Sequence, residues 1–272
     1  MSVVVNTNVA SLSASKILSA NRSELETAMS RLSSGKRINS SADDAAGMAV
    51  AAKIRADVRS LNQAIRNAND AISLVATYDG ATNEIESMLV RMRELAVQSV
   101  NGTYTNSDRT NAQKEVTALL AEIERIADYT KFNRTLLSNT AYSFRVGAQS
   151  STADDVTITL GDVQGSALGI DAVTIATSAG ATTAVTTIDT AIDSLAGHRA
   201  NAGAFLNRMA ATVSVQANVA QRMTEALSGV EDADYAAESA NLARGVILAQ
   251  AGSAMLAQAN RSPEYILTLL RP

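Results

Sequence analysis

The sequence predicts a mainly α chain: an elongated rod of long, antiparallel, heptad-packed helices, with a small β-hairpin region in mid-chain and coiled-coil termini. Three observations carry this reading. Only two prolines, Pro263 and Pro272, occur in 272 residues, so little in the chain forbids helix. Apolar residues recur in alternating steps of three and four over long stretches. Aromatic residues make up 3% of the chain and Trp is absent, which leaves Ala, Leu, Ile, Val and Met to make the contacts. Such side chains suit a narrow helix–helix seam better than a thick globular interior.

The first element is a helix striped by Leu18, Leu25 and Leu32, seven residues apart. From Ala45 to about Val100 the only glycines are Gly47 and Gly80. There Ile54, Val58, Leu61, Ile65, Ala68, Ile72 and Val75 form one heptad seam, and Ile85, Met88, Met92, Leu95 and Ser99 resume it in a shifted phase. The shift near Tyr78–Gly80 predicts a local change of winding without a break. A helix of about 55 residues is roughly 80 Å long, hence the expectation of a rod. The turn at 102–108 ends this helix, with Ser107 and Asp108 as candidate N-caps for the next, whose seam is Val116, Leu119, Ile123 and Ile126.

Residues 140–187 are rich in Ser, Thr, Gly and Asp and alternate through Val156-Thr157-Ile158-Thr159-Leu160, so strands and turns are expected. Helical spacing then returns from Ile188 through Leu195, Ala202, Met209 and Ala220 to Leu227, with Arg199 and Gln216 falling on the stripe. Near the C-terminus Leu242, Ala249 and Leu256 are again seven apart. The predicted domains are a terminal one from 1–43 with 229–272, and a rod from 44–228 whose 140–187 segment is a short β-rich tip.

Each end carries an apolar stripe with nothing nearby in sequence to cover it, and isolated helices of this kind are marginal in water. Residues 1–42 hold five basic and two acidic side chains, and 229–272 hold three basic and five acidic, which mildly favours pairing of the ends. Self-association is therefore expected, with the ends ordering when neighbours bury the stripes.

Several function classes are disfavoured. Net charge is −4 with no basic block, which argues against a nucleic-acid partner. No apolar run reaches the length of a membrane span, so no membrane insertion is expected. Cysteine is absent and His198 is the lone histidine, which removes the usual triads and zinc sites, and no cofactor is expected. His198 is read as surface or inter-subunit packing. The carboxylate pairs Asp43-Asp44 and Glu231-Asp232 precede helices and are read as helix-terminus charges. The N-terminus lacks the basic start and apolar core of a classical signal peptide, which alone would indicate a cytoplasmic protein.

Several segments resemble bacterial flagellin. They include Val5-Asn6-Thr7-Asn8, Arg31-Leu32-Ser33-Ser34-Gly35, Arg37-Ile38-Asn39-Ser40 and Asp43-Asp44-Ala45-Ala46-Gly47. Arg66-Asn67-Ala68-Asn69-Asp70, Arg93-Glu94-Leu95-Ala96-Val97-Gln98-Ser99, Phe132-Asn133 and Phe144-Arg145-Val146-Gly147 follow in order. The tail adds Gln250-Ala251-Gly252, Leu256-Ala257-Gln258-Ala259-Asn260 and Leu269-Leu270-Arg271. The likeness covers about residues 1–150 and 188–272. It departs at Lys36, where the family commonly has Leu, at Met209, where Phe is common, and at Pro272 beyond the usual terminal Arg.

The resemblance implies a short form without large outer domains: a structural subunit that polymerises into the helical filament of bacterial motility, and not an enzyme. Its terminal coils, with Leu18, Leu25, Leu32, Leu242, Leu256, Leu269 and Leu270, would form the inner core of a hollow tube. It further implies secretion through the flagellar export channel, which overturns the cytoplasmic reading. The implied partners are the export apparatus, an export chaperone at the C-terminal end, the filament cap and the hook-junction proteins. The stretch 89–98 with Glu115 matches the part recognised by an animal Toll-like receptor, through Arg91, Leu95 and Glu115. The competing readings are a hook–filament junction protein, a surface adhesin using the 140–187 tip, and, most distant, an enzyme.

Overall fold

The computed structural model describes residues 7–148 and 154–269, with side chains up to Arg261. Among them are six helices and two short antiparallel strand pairs. The helices are α1 (Val9–Ser34), α2 (Ala45–Val100), α3 (Asn106–Tyr129), α4 (Gly165–Leu168), α5 (Ser178–Glu231) and α6 (Tyr235–Leu269). The strands are β1 (Lys131–Phe132), β2 (Thr135–Leu136), β3 (Ala141–Arg145) and β4 (Asp155–Thr159). The chain divides into two compact units, Met1–Ala56 with Arg222–Pro272, and Asp57–Gln221.

In the larger unit α2 runs antiparallel to both α3 and α5. Arg91 Nε meets Glu115 Oε1 at 2.8 Å on α3, and Arg199 on α5 reaches Asp79 Oδ1 at 3.1 Å and also Glu86. Besides Ala51, Leu74 and Leu95, burial along α2 follows Leu61, Ala64, Ala68, Ala71, Val75, Tyr78, Thr82, Ile85, Leu89, Met92, Ala96 and Ser99, in steps of three and four. The expected shift of winding is therefore not needed. A hydropathy reading skips Tyr78 and Thr82 because both carry hydroxyls, yet both are enclosed once those hydroxyls are bonded. Tyr78 donates to the Gly161 carbonyl at 3.0 Å, and Thr82 donates to the Asp79 carbonyl at 2.9 Å.

The turn between α2 and α3 differs in detail from its expected form. Thr105 is the N-cap of α3, not Ser107 or Asp108, and Asp108 closes a capping box by accepting from the Thr105 amide at 3.0 Å. Hydrogen bonds from Thr105 hold the Asp108 carboxyl below its ordinary range. Arg109 is buried and donates to the Ser99 and Asn101 carbonyls at 2.7 and 3.1 Å, where the end of α2 needs donors.

After α3 the chain makes a β1–β2 hairpin, whose two central residues, Asn133 and Arg134, both have positive φ. That geometry matches the right-handed twist of the strands. β3 then pairs with β4 from Ala141↔Thr159 to Arg145↔Asp155, a pairing closed by a bidentate Arg145–Asp155 contact at 2.8 and 3.0 Å. Val156 and Ile158 point into the core that α2, α3 and α5 share.

The β-rich segment ends earlier than its composition implies. α5 starts at Ser178, so residues 178–187 are helical despite their threonines. Thr182, Thr183 and Thr187 donate their hydroxyls to carbonyls four residues back, while Ala181, Ala184 and Ile188 are buried. Thr occupies the outer face without interrupting the helix.

The smaller unit holds α1, α6, the start of α2 and the end of α5. Asp44 caps α2, accepting from the Gly47 amide at 2.8 Å, and a Cβ on Gly47 would lie 2.7 Å from Ile38. Beside it, Asp43 accepts from the Asn39 and Ser40 amides at 3.0 and 2.8 Å, which keeps its carboxyl below the usual range.

Burial pushes the Tyr78 hydroxyl up to about 12 from 10.0. The neutral form is therefore favoured in the folded chain, so its contribution is intact below pH 10 and is lost as pH rises from 10 towards 12. Tyr78→Phe is expected to destabilise the larger unit by about 1 kcal/mol near neutrality. It should also remove the alkaline loss over that window; denaturant unfolding at a series of pH values checks both.

Candidate functional site

The two ends of the sequence form an antiparallel pair. Along α1, Ser11, Ala14, Leu18, Asn21, Leu25, Ala28 and Leu32 are the covered positions, in steps of three and four. Along α6 they are Glu238, Leu242, Gly245, Ala249, Gly252, Leu256 and Ala259, also in steps of three and four. Four contacts set the register: Asn8 to the Ala259 carbonyl at 2.8 Å, Leu18 on Gly252, Leu25 on Gly245, and Arg31 to Glu238 at 2.9 Å. The leucine stripe of one helix thus meets glycines of the other, also seven apart. A Cβ on Gly252 would lie 3.2 Å from Leu18 Cδ1, so the backbones approach closely there.

Within the seam Asn21 is buried and its Nδ2 donates to the Gly245 carbonyl at 2.9 Å. A polar group that is satisfied in only one alignment fixes the register of a helix pair. Asn21, Gly245 and Gly252 were not among the expected assembly residues. Their signal was the period itself: Asn21 sits between Leu18 and Leu25, and the glycines lie three residues beyond Leu242 and three after Ala249.

Of the expected residues, Leu18, Leu25, Leu32, Leu242 and Leu256 are half-buried on this seam. Leu270 lies outside the described residues, as does the side chain of Leu269. The stripes are therefore covered by each other. Apolar surface remains elsewhere on the pair, at Val9, Leu12, Ile17 and Met29 of α1 and at Val246, Ile247, Leu248 and Met255 of α6, all exposed. Three consecutive helical residues, 246–248, point about 100° apart, so no single further partner covers them.

Where α1 turns towards α2, the strand-like stretch 35–37 pairs with 231–233. Arg37 N donates to the Glu231 carbonyl at 2.7 Å, and Ala233 N to the Gly35 carbonyl at 3.0 Å. Glu231 is buried, paired with Lys36 and lying 3.5 Å from Arg55 Nε. This corrects the expectation that Glu231 and Asp232 are charges preceding a helix. Glu231 is the last residue of α5, and Asp234 caps α6, accepting from the Ala236 and Ala237 amides at 2.9 and 3.2 Å. Lys36, unusual by the resemblance, supplies the counter-charge that a buried carboxylate requires.

In the larger unit Arg91 and Glu115 are exposed and joined, with Glu94 also on Arg91 at 3.0 Å, while Leu95 is 4% exposed beneath the surface. Leu95 therefore belongs to the core and is not part of the exposed patch. His198 is half-buried, with its ring against the Gly161 backbone, where a Cβ would fall 2.3 Å from it. Among the described residues no cluster of His, Cys, Asp or Glu is placed to hold a metal ion. No described helix is long and apolar enough to cross a membrane.

A helix pair with apolar residues on several uncovered sides defines a class of structural, assembling proteins. Comparison with known proteins says which. The N-terminal helical region of bacterial flagellin matches residues 5–141, and the C-terminal helical region matches 185–270. Flagellin of Halalkalibacterium halodurans is 39% identical over 272 positions, covering 99% of this chain and 100% of that one. Flagellin of Xenorhabdus nematophila is 38% identical over 315 positions, covering 100% of both. Among solved structures, a protein described as flagellar hook-associated, from Vibrio parahaemolyticus, shares the fold with a TM-score of 0.60. It is 13% identical and covers 70% of this chain and 100% of that one.

The chain belongs to the bacterial flagellin family, as a short form. It is a structural subunit that self-polymerises into the extracellular flagellar filament, and not an enzyme.

Two substitutions at one position separate close packing from helix propensity. Gly245→Ala adds a Cβ at ordinary contact, 3.4 Å from Leu25, and gains up to about 1 kcal/mol of helix propensity. Gly245→Leu overfills the seam at a cost of about 1–3 kcal/mol. Amide hydrogen exchange in α1 and α6 should slow in the first variant and accelerate in the second, while amides of the larger unit stay unchanged.

Proposed function

We propose that the α1–α6 pair is the element through which the subunit assembles, and that residues 1–43 with 229–272 act as the filament-core domain. Residues 44–228 act as the surrounding rod domain. The observation that carries this reading is the uncovered apolar surface at Val9, Leu12, Ile17, Val246, Ile247 and Leu248, present on a pair whose own seam is already filled. In this reading Leu18, Leu25, Leu32, Leu242 and Leu256 build the pair, and Leu269 and Leu270 act in the same assembly. The outer residues then meet neighbouring subunits. Contacts between unlike faces propagate as an open helix where they do not close into a ring.

The family reading extends to export through the flagellar channel, a chaperone for the C-terminal segment, the filament cap and the hook-junction proteins. It also extends to an animal Toll-like receptor, through Arg91 and Glu115 with Leu95 positioning their helix. The exposed Arg91–Glu115 pair supports that last partner, and filament contacts at the same patch compete with it.

Seeded growth followed by electron microscopy tests the main reading. Leu25→Asp and Leu256→Asp are expected to stop elongation while the larger unit keeps its helicity and melting temperature, because a carboxylate buried in the seam lacks a partner. Removing about forty residues from each end should have the same effect. Normal filaments from these proteins would refute assembly through the ends. For the receptor, Arg91→Ala and Glu115→Ala should each weaken monomer binding by about tenfold, the loss of one charged contact; unchanged binding would remove that partner.

A further inference from the structure

Among the described residues the methionines span the whole range of exposure, with Met48, Met88 and Met223 half-buried between two extremes. Met92 and Met209 are fully enclosed in the larger unit, at 0% exposure. Met29 on α1 is 53% exposed and Met255 on α6 is 66% exposed. Each is next in sequence to a seam residue, Ala28 or Leu256, and so points away from the seam. Met255 shares its helix face with exposed Leu248, seven residues earlier.

We infer that Met29 and Met255 are an oxidant-sensitive modification site that controls entry of the free subunit into the polymer. The inference rests on the assembly reading above, in which a second copy covers these faces. The co-reactant is a small peroxide. The thioether sulfur attacks one peroxide oxygen, the O–O bond breaks, and a sulfur–oxygen bond forms. The sulfur loses two electrons to the peroxide, whose other oxygen leaves as water after proton transfer, and methionine sulfoxide remains.

In the free chain the new S=O group points into water, so the fold is undisturbed. Against a neighbour's apolar surface it is a polar acceptor with no donor, which is costly to bury. An unbranched, deformable side chain that suited an irregular interface becomes polar and chiral. Once a subunit is incorporated, the neighbour excludes peroxide, so the same contact that oxidation prevents also protects the sulfur.

Peroxide footprinting of the full chain tests this, with monomer and assembled filament treated in parallel with hydrogen peroxide and sulfoxides located by peptide mass spectrometry. In monomer, Met29 and Met255 should oxidise about tenfold faster than Met92 and Met209, and in filament their rates should fall by at least about fivefold. Oxidised monomer should keep its circular dichroism and extend seeds about tenfold more slowly. The Met29→Leu, Met255→Leu chain, compared with its own untreated rate, should lose nothing on treatment. Equal oxidation in monomer and filament, or normal elongation by oxidised wild-type chain, would overturn the inference. So would a peroxide loss in the double variant as large as in wild type; if that variant does not elongate, the filament footprint decides. The chain trimmed at both ends separates the two levels. If it polymerises, the assembly reading itself falls; if it does not and oxidised wild type still elongates, only the methionine inference falls.

Discussion

Close contact between the leucines of one terminal helix and the glycines of the other is the constraint on which the smaller unit depends. Leu18 and Leu25 are seven residues apart, and so are Gly252 and Gly245. Large against small at each step lets the two backbones approach, and the buried Asn21 amide is satisfied in this alignment by the Gly245 carbonyl. The interface is one helix wide, so it leaves most of each helix outside it. Among polar residues, that leftover surface carries exposed Val9, Leu12, Ile17, Met29, Val246, Ile247, Leu248 and Met255, the side chains through which we propose that subunits meet. The helix pair is thus a complete seam and an incomplete core together.

The larger unit solves the same problem differently. α2 has α3 on one side and α5 on another, and the β3–β4 pair, α4 and the loops around them supply Val156, Ile158, Leu160, Leu168 and Ile170 to the same core. Its polar seam residues are neutralised locally. Arg199 reaches Asp79 and Glu86, and Gln216 donates to the Val146 carbonyl at 2.8 Å. Glu124 accepts from the Gly165 amide at 2.6 Å, where α4 begins. The larger unit thus encloses its core between several elements, while the terminal pair has a single seam and no comparable core.

Between the ends of α1 and α5, buried Glu231 is held by Lys36 and by two backbone bonds linking 35–37 with 231–233. A buried carboxylate contributes little net stability, but removing its partner is costly, and it admits few alternative geometries. Lys36 therefore does locally what Leu could not, since Leu offers no charge.

Helix content, the seven-residue stripes and family membership were legible in the sequence, because they rest on periodicity and on motifs in order. The heptads of Leu18, Leu25 and Leu256 needed no coordinates. Nor did the strand alternation at 156–160. Misreadings arose where a polar group is satisfied by a partner that hydropathy does not reveal, whether a turn away or far along the chain. Tyr78 and Thr82 looked like a gap in a seam until their hydroxyls found acceptors. The threonines of 178–187 looked like strand and turn until their hydroxyls bonded back to the helix. Glu231 looked like a solvated cap until Lys36 met it.

Local period determined which residues form helices and which side of each is apolar, since both depend only on spacing along the chain. Which apolar side is filled by the chain itself and which stays exposed depended on Gly245 and Gly252 arriving opposite Leu25 and Leu18. Only tertiary structure decides that, because it brings together residues more than two hundred positions apart.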